Sequence, residues 1–481
     1  MALVAPHRLV AIARPAVAHL AIRSVAPVDA AGVVHRLEDR SPTAVEPASG
    51  PSDPSTDRLA RIRESAPQAG TDSLRLLARV GRVDPTSLDD YRAHGGYRAL
   101  SRAFELGARQ VVDEVNAARL VGRGGAAFPT GRKWAAVAAQ PVQPHYLVCN
   151  ADESEPGTFK DRVLLEEDPF AIVEAMTIAG YATGAERGYL YLRGEYPLAE
   201  ARVTGAIDQA REVGLLGPDI LGAGITFDID MRRGAGAYIC GEETALFESI
   251  EGRRGEPRNK PPFPVEVGLF GKPTTINNVE TLMNVPSIVL DGGAAFAAIG
   301  TDGSTGPKLF CLSGDVVRPG VYEVAFGATL GELLDLAGGV PGGQAIQAIL
   351  LGGAAGVFVG ADALGTPLTF EGTRAIGATL GSGVVMVFDE SADLVGALRR
   401  IAAFFRDESC GQCVPCRVGS VRQEEILARL AAGRPNGSMS DELALLRDVG
   451  QAMRDASICG LGQTASSAIE SALRQPGMVR L

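Results

Sequence analysis

The chain is poor in lysine and in long apolar runs, and it carries no excess of positive charge. Of its 46 basic residues only five are lysines, and 57 acidic residues give a net charge of −11. A surface of that sign is unsuited to nucleic acid or to an anionic membrane as the main partner. No apolar run reaches the roughly 18 residues of a membrane span. The sequence therefore predicts no transmembrane segment.

Cysteine is also sparse, with seven in 481 residues. This number fits a reducing compartment better than a framework of disulfides. The content of hydrophobic residues, 46%, is enough for complete cores. A chain of this length is expected to form two to four domains.

The five lysines stand out because arginine occupies almost every other basic position. They are Lys133, Lys160, Lys260, Lys272 and Lys308. A lysine that is kept in such a chain can be one whose compact ammonium group is needed. The surrounding motifs favour a functional reason for the first three, whereas chance retention explains the last two equally well.

Four of the seven cysteines form the most specific motif of the chain. Cys410, Cys413 and Cys416 follow a C-x2-C-x2-C spacing, and Cys459 comes further along. Three thiolates from one tight loop and a fourth from a distant one are the ligands of a 4Fe-4S cluster. A structural zinc site is the alternative, but zinc sites usually pair two C-x2-C hairpins. The spacing therefore predicts the cluster.

The pattern of apolar residues divides the chain into five parts. Residues 1–71 form an extension, either a disordered arm that docks on a partner or, given its acid-free and arginine-bearing start, a transit peptide. Residues 72–119 are expected to be helical. Short apolar runs alternate with helical stretches over 120–300, which predicts an α/β domain. Residues 301–390 are strand-like and rich in glycine, as in a small β-grasp domain, and 391–481 are helical.

Single elements can be predicted inside these parts from the same patterns. Strands are predicted at residues 146–149, 189–192 and 225–231. Helices are predicted at residues 244–250, 330–337, 421–430 and 441–453. The last of these helices is expected to take Ser440 as its N-cap.

Three segments place glycine or acidic residues where a helix begins or a strand ends. Residues 122–133 form a glycine-rich loop whose backbone can approach a phosphate or a flat ring. Residues 149–162 bring an amide and several acids directly after a predicted strand, where open α/β sheets bind ligands. Residues 233–244 place Glu242 and Glu243 in a first helical turn. Taken singly, each segment is also explained by a structural turn, a solvated loop or a favourable helix dipole.

Two further segments follow these three along the chain. Residues 259–264 are stiffened by prolines and present Lys260 and Phe263, and residues 277–281 add amide and hydroxyl groups. Together with the cysteine motif, these segments resemble the NADH-binding flavoprotein subunit of respiratory complex I. They are equally similar to its relatives, the diaphorase subunits of NAD-linked formate dehydrogenases and NAD-reducing hydrogenases. The resemblance covers residues 72–481.

The resemblance implies a multi-domain α/β fold. A Rossmann-like FMN and NADH domain is followed by a β-grasp domain and by a C-terminal helical bundle that carries the 4Fe-4S cluster. The implied activity is that of an NADH dehydrogenase, in which hydride passes between NAD(H) and FMN and electrons continue singly to the cluster. A cofactor-less structural subunit is the alternative from another class, and it would be expected to have lost cluster ligands, yet all four cysteines are intact.

The implied partners are further iron-sulfur subunits, including a 2Fe-2S thioredoxin-like ferredoxin subunit. The parent assembly is a complex-I-like NADH:quinone oxidoreductase or, alternatively, a soluble NAD-dependent formate dehydrogenase or NAD-reducing hydrogenase. Such a subunit is cytoplasmic, including the inner face of a membrane as part of a peripheral arm. It lies in the mitochondrial matrix if the N-terminus is a transit peptide.

The resemblance also assigns residues to each cofactor. The implied FMN contacts are Gly124, Gly125, Lys133, Asn150, Asp152, Glu153, Ser154, Tyr238, Gly241, Glu242, Glu243, Asn277, Asn278 and Thr281. The implied NADH contacts are Phe128, Glu155, Glu243, Lys260 and Phe263. The two phenylalanines are suited to stacking on adenine, with core packing as the alternative. No protein group is implied as catalytic, and Glu155 and Glu243 are the nearest candidates.

The glycine-rich loop departs from the family pattern at one position. Ala127 stands where glycine is usual. An alanine predicts that the backbone needs no positive φ there.

Overall fold

The computed structural model describes residues 54–479, with side chains from residue 58 onward. The predictions made for residues 1–53 lie outside the described residues. No helix in the described part is long and apolar enough to cross a bilayer.

The described chain begins with a helix inside the predicted extension. Helix α1 (Pro54–Ser65) is followed by a turn, and Ile62, Ala66 and Ala69 are buried in the main core. Arg58 of this helix pairs with Glu167 at 2.8 Å. The prediction of an extension up to residue 71 is therefore wrong for residues 54–71. Ile62, Ala66 and Ala69 stand among charged and polar residues, so the sequence shows no clear apolar pattern over this segment.

The predicted helical segment is less continuous than expected. It contains α2 (Leu88–Ala93), α3 (Arg98–Leu106) and α4 (Ala108–Ala117), whereas residues 71–87 form turns. Gly95 and Gly96 lie in the turn that separates α2 from α3. A Cβ atom at Gly96 would lie 2.1 Å from the Tyr91 ring, so the packing of this turn against Tyr91 requires glycine.

A four-stranded parallel sheet follows, with strand order β3-β2-β1-β4. The strands are β1 (His145–Ala151), β2 (Ala185–Leu192), β3 (Asp228–Arg233) and β4 (Thr274–Asn278). The helices of this part are α5 (Thr130–Ala138), α6 (Lys160–Glu167), α7 (Pro169–Thr183), α8 (Pro197–Glu212), α9 (Glu243–Ile250), α10 (Val279–Met283), α11 (Val285–Asp291) and α12 (Gly293–Ala297). Helix α7 is apolar all round and almost wholly buried, as expected of a central helix. The three predicted strands are confirmed, although β3 begins later than predicted.

A second sheet has five strands in the order β6-β5-β9-β7-β8. They are β5 (Pro307–Gly314), β6 (Gly320–Ala325), β7 (Ile346–Leu351), β8 (Val357–Val359) and β9 (Val384–Asp389), with helices α13 (Leu330–Leu336) and α14 (Phe370–Ala375). Only the β5–β9 pair is parallel. The sheet has an apolar core of its own around Phe310, Leu333 and Val387.

Five helices complete the described chain. They are α15 (Leu394–Glu408), α16 (Val414–Ala431), α17 (Met439–Ala456), α18 (Gly460–Thr464) and α19 (Ser467–Arg474). Helix α16 begins earlier than predicted because Pro415 fits the first turn of a helix. The N-cap of α17 is Ser438 and not Ser440. Ser438 forms a capping box with Asp441, which has the required spacing of three residues.

Candidate functional site

Two adjoining cavities of about 430 and 720 Å³ open where β1 and β4 end. Such volumes are typical of small-molecule sites, and the carboxyl ends of parallel strands are where α/β sheets bind ligands. Every residue that the sequence assigned to FMN or NADH lines one cavity or the other. The walls shared by both include Gly124, Asn150, Gly241, Glu242 and Asn278.

The smaller, inner cavity has polar atoms on its wall without a protein partner. Asp152 Oδ1 and Asn278 Oδ1 are buried and accept no hydrogen bond. The other oxygen of Asp152 accepts from the Ser154 hydroxyl at 3.0 Å, and Asn150 Nδ2 donates to the Gly241 carbonyl at 2.9 Å. Buried polar atoms are rarely left unpaired, so these oxygens fit a ligand that brings its own donors.

Burial is the main influence on the pKa values of two carboxyl groups in this cavity, Asp152 and Glu155. It raises the pKa of Asp152 to about 7, against the hydrogen bond from Ser154 and the charge of Arg193. It also raises the pKa of Glu155 to about 7. Desolvation disfavours the charged carboxylate, so both groups take up a proton near neutrality when no ligand is bound.

Glu153 has a different place from its neighbours. It is buried, and its carboxylate accepts from the amides of Asp161 and Arg162 and from the Thr158 hydroxyl. Burial raises its pKa, and the charge of Asp161 adds to this effect. Glu153 therefore fixes the start of α6 as well as lining the cavity.

Glycine keeps the walls of the cavity flat. A Cβ at Gly124 would lie 3.0 Å from the Cβ of Asn278, and a Cβ at Gly241 would lie 3.4 Å from Asp152 Oδ2. The backbone can then approach a flat ring closely. The expectation for Ala127 is wrong, because this residue has φ +50°. The tight turn forces the left-handed conformation on alanine, at a cost that glycine would avoid.

The larger, outer cavity combines lysines, an acid pair and two exposed rings. Lys260 Nζ lies 2.6 Å from Glu243 Oε1 and 2.9 Å from Glu242 Oε1. Lys133 Nζ donates to the Ile276 carbonyl at 3.0 Å and lies 4.0 Å from Glu243 Oε2. Burial lowers the pKa of Lys133, and Glu243 opposes this effect.

The aromatic rings at this cavity face outward. Phe128 is 49% exposed and Phe263 is 53% exposed, so core packing does not explain either ring. Asn277 and Thr281 also line this cavity but already have protein partners. Asn277 Oδ1 accepts from the indole of Trp134 at 2.9 Å, and the Thr281 hydroxyl accepts from the Arg123 amide at 2.8 Å.

A buried network of charges lies beneath the cleft. Lys160 Nζ lies 2.7 Å from Asp161 and 2.9 Å from Glu280, and Lys308 Nζ also lies 2.9 Å from Glu280. Burial alone would raise the pKa of Glu280, but the two lysines hold it below its usual value. Asp161 in turn accepts from the Asn278 side-chain amide at 2.5 Å. The network therefore orients a residue of the cavity wall.

The cysteines of the predicted cluster gather in one place beside the cleft. Cys410, Cys413, Cys416 and Cys459 belong to, or pack against, the same apolar core. Burial raises the pKa of Cys416 to about 11; the hydrogen bond with Ser409 opposes this rise, and the charges of the other three cysteines contribute to it. Burial also raises the pKa of Cys459, and hydrogen bonds from two backbone amides oppose this effect. The donor set is that of a 4Fe-4S cluster, in which each thiolate binds a different iron.

In the described part of the chain, no three His, Cys, Asp or Glu side chains lie close enough together to hold a single metal ion. All seven cysteines are free thiols. Cys459 lines a small cavity together with Glu242 and Lys260, and Leu461 lines the inner cavity. The cysteine site therefore borders both parts of the cleft.

The sequence missed the contribution of the second sheet. Its loops line the inner cavity with Gly352, Ala355, Thr379, Gly381 and Ser382. The glycines at 352–353 and 381 were a weak signal of close backbone approach. Lys308 was the other signal, because its retention is explained by the ion pair with Glu280.

Three family models match the chain. The Nuo51 FMN-binding domain matches residues 115–287, the SLBB domain matches 309–355, and the NADH-ubiquinone oxidoreductase-F iron-sulfur binding region matches 396–475. The F 2 subunit of the NADH-quinone oxidoreductase of Rhizobium meliloti (strain 1021) is 46% identical over 401 residues, which are 83% of this chain and 94% of that protein.

The chain belongs to the family of NADH-quinone oxidoreductase F subunits.

A hydrogenase relative of the family is equally similar. The HndC subunit of the NADP-reducing hydrogenase of Solidesulfovibrio fructosivorans is 46% identical over 402 residues, or 83% of this chain and 81% of that subunit. The crystal structure of an NAD+-reducing [NiFe]-hydrogenase in the H2-reduced state matches with a TM-score of 0.71 and 40% identity. The match covers 77% of this chain and 62% of that chain, so this chain corresponds to less than two thirds of the hydrogenase polypeptide.

These matches confirm the resemblance seen in the sequence. This member of the family is an NADH dehydrogenase flavoprotein subunit with FMN and a 4Fe-4S cluster as cofactors. The zinc interpretation of the cysteine motif is wrong. The chain is a subunit of a multi-subunit oxidoreductase with iron-sulfur partners.

Proposed function

We propose that the two cavities form one binding cleft that FMN and NADH share, because residues assigned to each cofactor line both cavities. The observation that carries this assignment is that all the residues singled out in five separate sequence segments line these two adjoining cavities. The unpaired oxygens of Asp152 and Asn278 supply acceptors for the flavin ring. Lys133 supplies a cation for the flavin phosphate.

The outer cavity suits a dinucleotide. Phe128 and Phe263 offer exposed faces to the adenine ring, because offset aromatic stacking is favourable. Glu243 and Lys260 form an ion pair at the mouth, where they can exchange this contact for the hydroxyl and phosphate groups of the nucleotide. Bound FMN would supply the chemistry that accepts a hydride from the nicotinamide and passes its two electrons one at a time to the cluster.

Cys410, Cys413, Cys416 and Cys459 are the proposed cluster ligands. They border the cleft, because Cys459 lines a small cavity with Glu242 and Lys260 and Leu461 lines the inner cavity. Beside them, Val414, Val418 and Val421 form an exposed apolar stripe on α16, at 58%, 46% and 36% exposure. Exposed apolar stripes of this kind mark protein contacts, which supports a docked partner near the cluster.

The parent assembly we propose is a complex-I-like NADH:quinone oxidoreductase. Its partners include a 2Fe-2S thioredoxin-like ferredoxin subunit and further iron-sulfur subunits. We place it in the cytoplasm, at the inner face of the membrane as part of a peripheral arm. The same module in an NAD-reducing hydrogenase is the second candidate. An NAD+-reducing [NiFe]-hydrogenase is 40% identical to this chain, and HndC of an NADP-reducing hydrogenase is as similar to it as the Rhizobium meliloti protein.

Purification of the assembly from its source separates the two candidates. Co-elution of quinone-reducing membrane subunits supports the first, and a nickel-containing hydrogenase subunit supports the second. The binding assignment is tested on the FMN-loaded chain with ferricyanide as acceptor. NADH should bleach the flavin and reduce ferricyanide, and the absence of both reactions in flavin-replete protein would overturn the assignment.

A further inference from the structure

Glu155 is held by the second sheet and not by the domain that carries it. Its Oε1 accepts from the Ala355 amide at 3.0 Å, and its Oε2 accepts from the Ser382 hydroxyl at 3.2 Å. Both donors lie beyond residues 115–287, which match the FMN-binding domain. Both also line the inner cavity.

Backbone packing leaves the carboxyl group little freedom. Gly353 has φ +81°, and a Cβ at this position would lie 2.5 Å from the carboxyl carbon of Glu155. On the same loop as Glu155, a Cβ at Gly157 would lie 2.8 Å from Val384 of β9. The second sheet therefore contacts the acidic loop directly at Glu155 and at Gly157.

The backbone of Ser382 is itself held by a buried lysine. Its carbonyl accepts from Lys308 Nζ at 3.2 Å, and Lys308 is fully buried against Glu280. The same ammonium also donates to the Leu309 carbonyl at 3.1 Å. A chain of contacts thus runs from the buried Glu280 through Lys308 and Ser382 to Glu155 in the cleft.

We propose that Ser382 is a positioning residue for NADH, which keeps the Glu155 carboxylate turned toward the nucleotide. This inference rests on the proposed function, which assigns Glu155 to NADH. Ser382 is required because the carboxylate would otherwise lie in a buried cavity with the Ala355 amide as its remaining donor.

The same contact has a consequence for pH. Burial raises the pKa of Glu155 to about 7, and the hydrogen bonds from Ala355 and Ser382 oppose this rise. Tyr238 is a titratable group that faces Glu155; it is half-buried, and burial raises its pKa above the usual value, so it is uncharged near neutrality. Loss of the Ser382 donor raises the pKa of Glu155 further, so the carboxylate becomes protonated at a higher pH. As the pH is lowered, nucleotide affinity should therefore begin to weaken at a higher pH in the variant than in the wild type.

The test uses the full, FMN-loaded chain in its oxidised form and measures the dissociation constant of NAD+ by calorimetry between pH 6 and 8. For Ser382→Ala we expect a rise of about three- to tenfold near pH 7, and a shift of the acidic limb to higher pH. Ser382→Thr, which keeps the hydroxyl, should restore affinity. Ser391→Ala is the matched control, because its hydroxyl also donates to a carboxylate, Asp389, but outside the cleft.

A double-mutant cycle with Glu155→Gln separates this inference from the proposed function. If Ser382 acts through Glu155, Ser382→Ala should have no further effect in the Glu155→Gln background. A weakened Glu155→Gln variant beside an unchanged Ser382→Ala variant would overturn the inference and leave the binding assignment standing. Additive effects of the two changes would also overturn it. Unchanged NAD+ affinity in Glu155→Gln would overturn the assignment of Glu155, and the inference with it.

Discussion

The cleft and the cysteine site lie side by side but differ in their polar groups: the cleft contains ion pairs, and the cysteine site contains thiols packed on an apolar core. The cleft pairs carboxylates with lysines, as in the contacts of Lys260 with Glu242 and Glu243. The cysteine site places Cys416 in an apolar core and packs the other three thiols against it, with the Ser409 hydroxyl and backbone amides as polar contacts. Ion pairs can be exchanged for a passing ligand, whereas thiolates in an apolar pocket suit permanent ligation.

This difference predicts how each region responds to mutation. Removal of a cysteine ligand should abolish electron transfer beyond the flavin. Removal of a buried charge should mainly affect folding, and removal of a charge in the cleft should change affinity by a graded amount.

The largest effect is expected for Cys413→Ala. The variant should lose most of its iron and sulfide and all electron transfer beyond the flavin, because a cubane needs all four thiolates. NADH oxidation with ferricyanide should continue. Iron analysis and the two activities are measured together, with Cys149→Ala, a buried cysteine of β1, as the control that keeps its iron. Full iron content in Cys413→Ala would place the cluster elsewhere.

Glu280→Gln should cost about 3–5 kcal/mol of unfolding free energy, since it leaves Lys160 and Lys308 buried without their shared partner. Urea unfolding of the wild type and the variant measures the difference. The exposed Glu186→Gln on β2 serves as the control and should stay within about 0.5 kcal/mol. A small loss for Glu280→Gln would show that the two lysines are compensated by other groups.

Lys133→Ala should weaken FMN binding by about ten- to a hundredfold, because a hydrogen bond between charged groups contributes about 1.5–3 kcal/mol. Flavin released on dilution is measured by its fluorescence. Iron content should not change, since Lys133 lines the cleft and not the cysteine site. Full retention of flavin would mean that another group holds its phosphate.

Glu243→Ala and Lys260→Ala should keep FMN and iron and raise the KM for NADH by about tenfold, with ferricyanide as acceptor. Because the two side chains contact each other at 2.6 Å, their effects should not be additive in the double variant. An unchanged KM in both single variants would locate the nucleotide outside the outer cavity.

The smallest effect concerns pH and the FMN-free cleft. The pKa of Asp152 is raised to about 7 by burial, so the folded FMN-free chain binds a proton that the unfolded chain has released. The stabilisation is present below the unfolded pKa and is lost as the pH rises through about 7. Unfolding free energies measured between pH 5 and 8 should therefore decline less steeply in Asp152→Asn than in the wild type. Equal slopes would contradict a buried, protonated Asp152.

The two regions also differ in how well the sequence predicted them. Three of the four cysteine ligands are close in the chain, and their spacing favoured the cluster over zinc before the comparisons confirmed it. The cleft residues were predicted through motif resemblance, yet the contacts of Ser382 and Ala355 with Glu155 were not. Those contacts join residues more than a hundred positions apart through the packing of two sheets, and no local pattern encodes them.

Local errors had local causes. Ser440 was chosen as a cap because it adjoins two acids, but the capping box depends on a spacing that only Ser438 satisfies. Ala127 was expected to avoid a positive φ, and the turn between Val121 and Pro129 imposes one. Helix α1 was missed because its core contact rests on Ile62 and the half-buried Leu59, two apolar residues among charged ones, which give a weak periodic signal.

The most direct test of the account is the anaerobic reaction of the purified chain with NADH. The chain should contain about one FMN and four iron and four sulfide per polypeptide. NADH should bleach the flavin and produce the paramagnetic signal of one reduced 4Fe-4S cluster, which dithionite should also produce. A chain that contains flavin and iron but shows the cluster signal only with dithionite would contradict the proposal that the cleft passes electrons from NADH to the four cysteines.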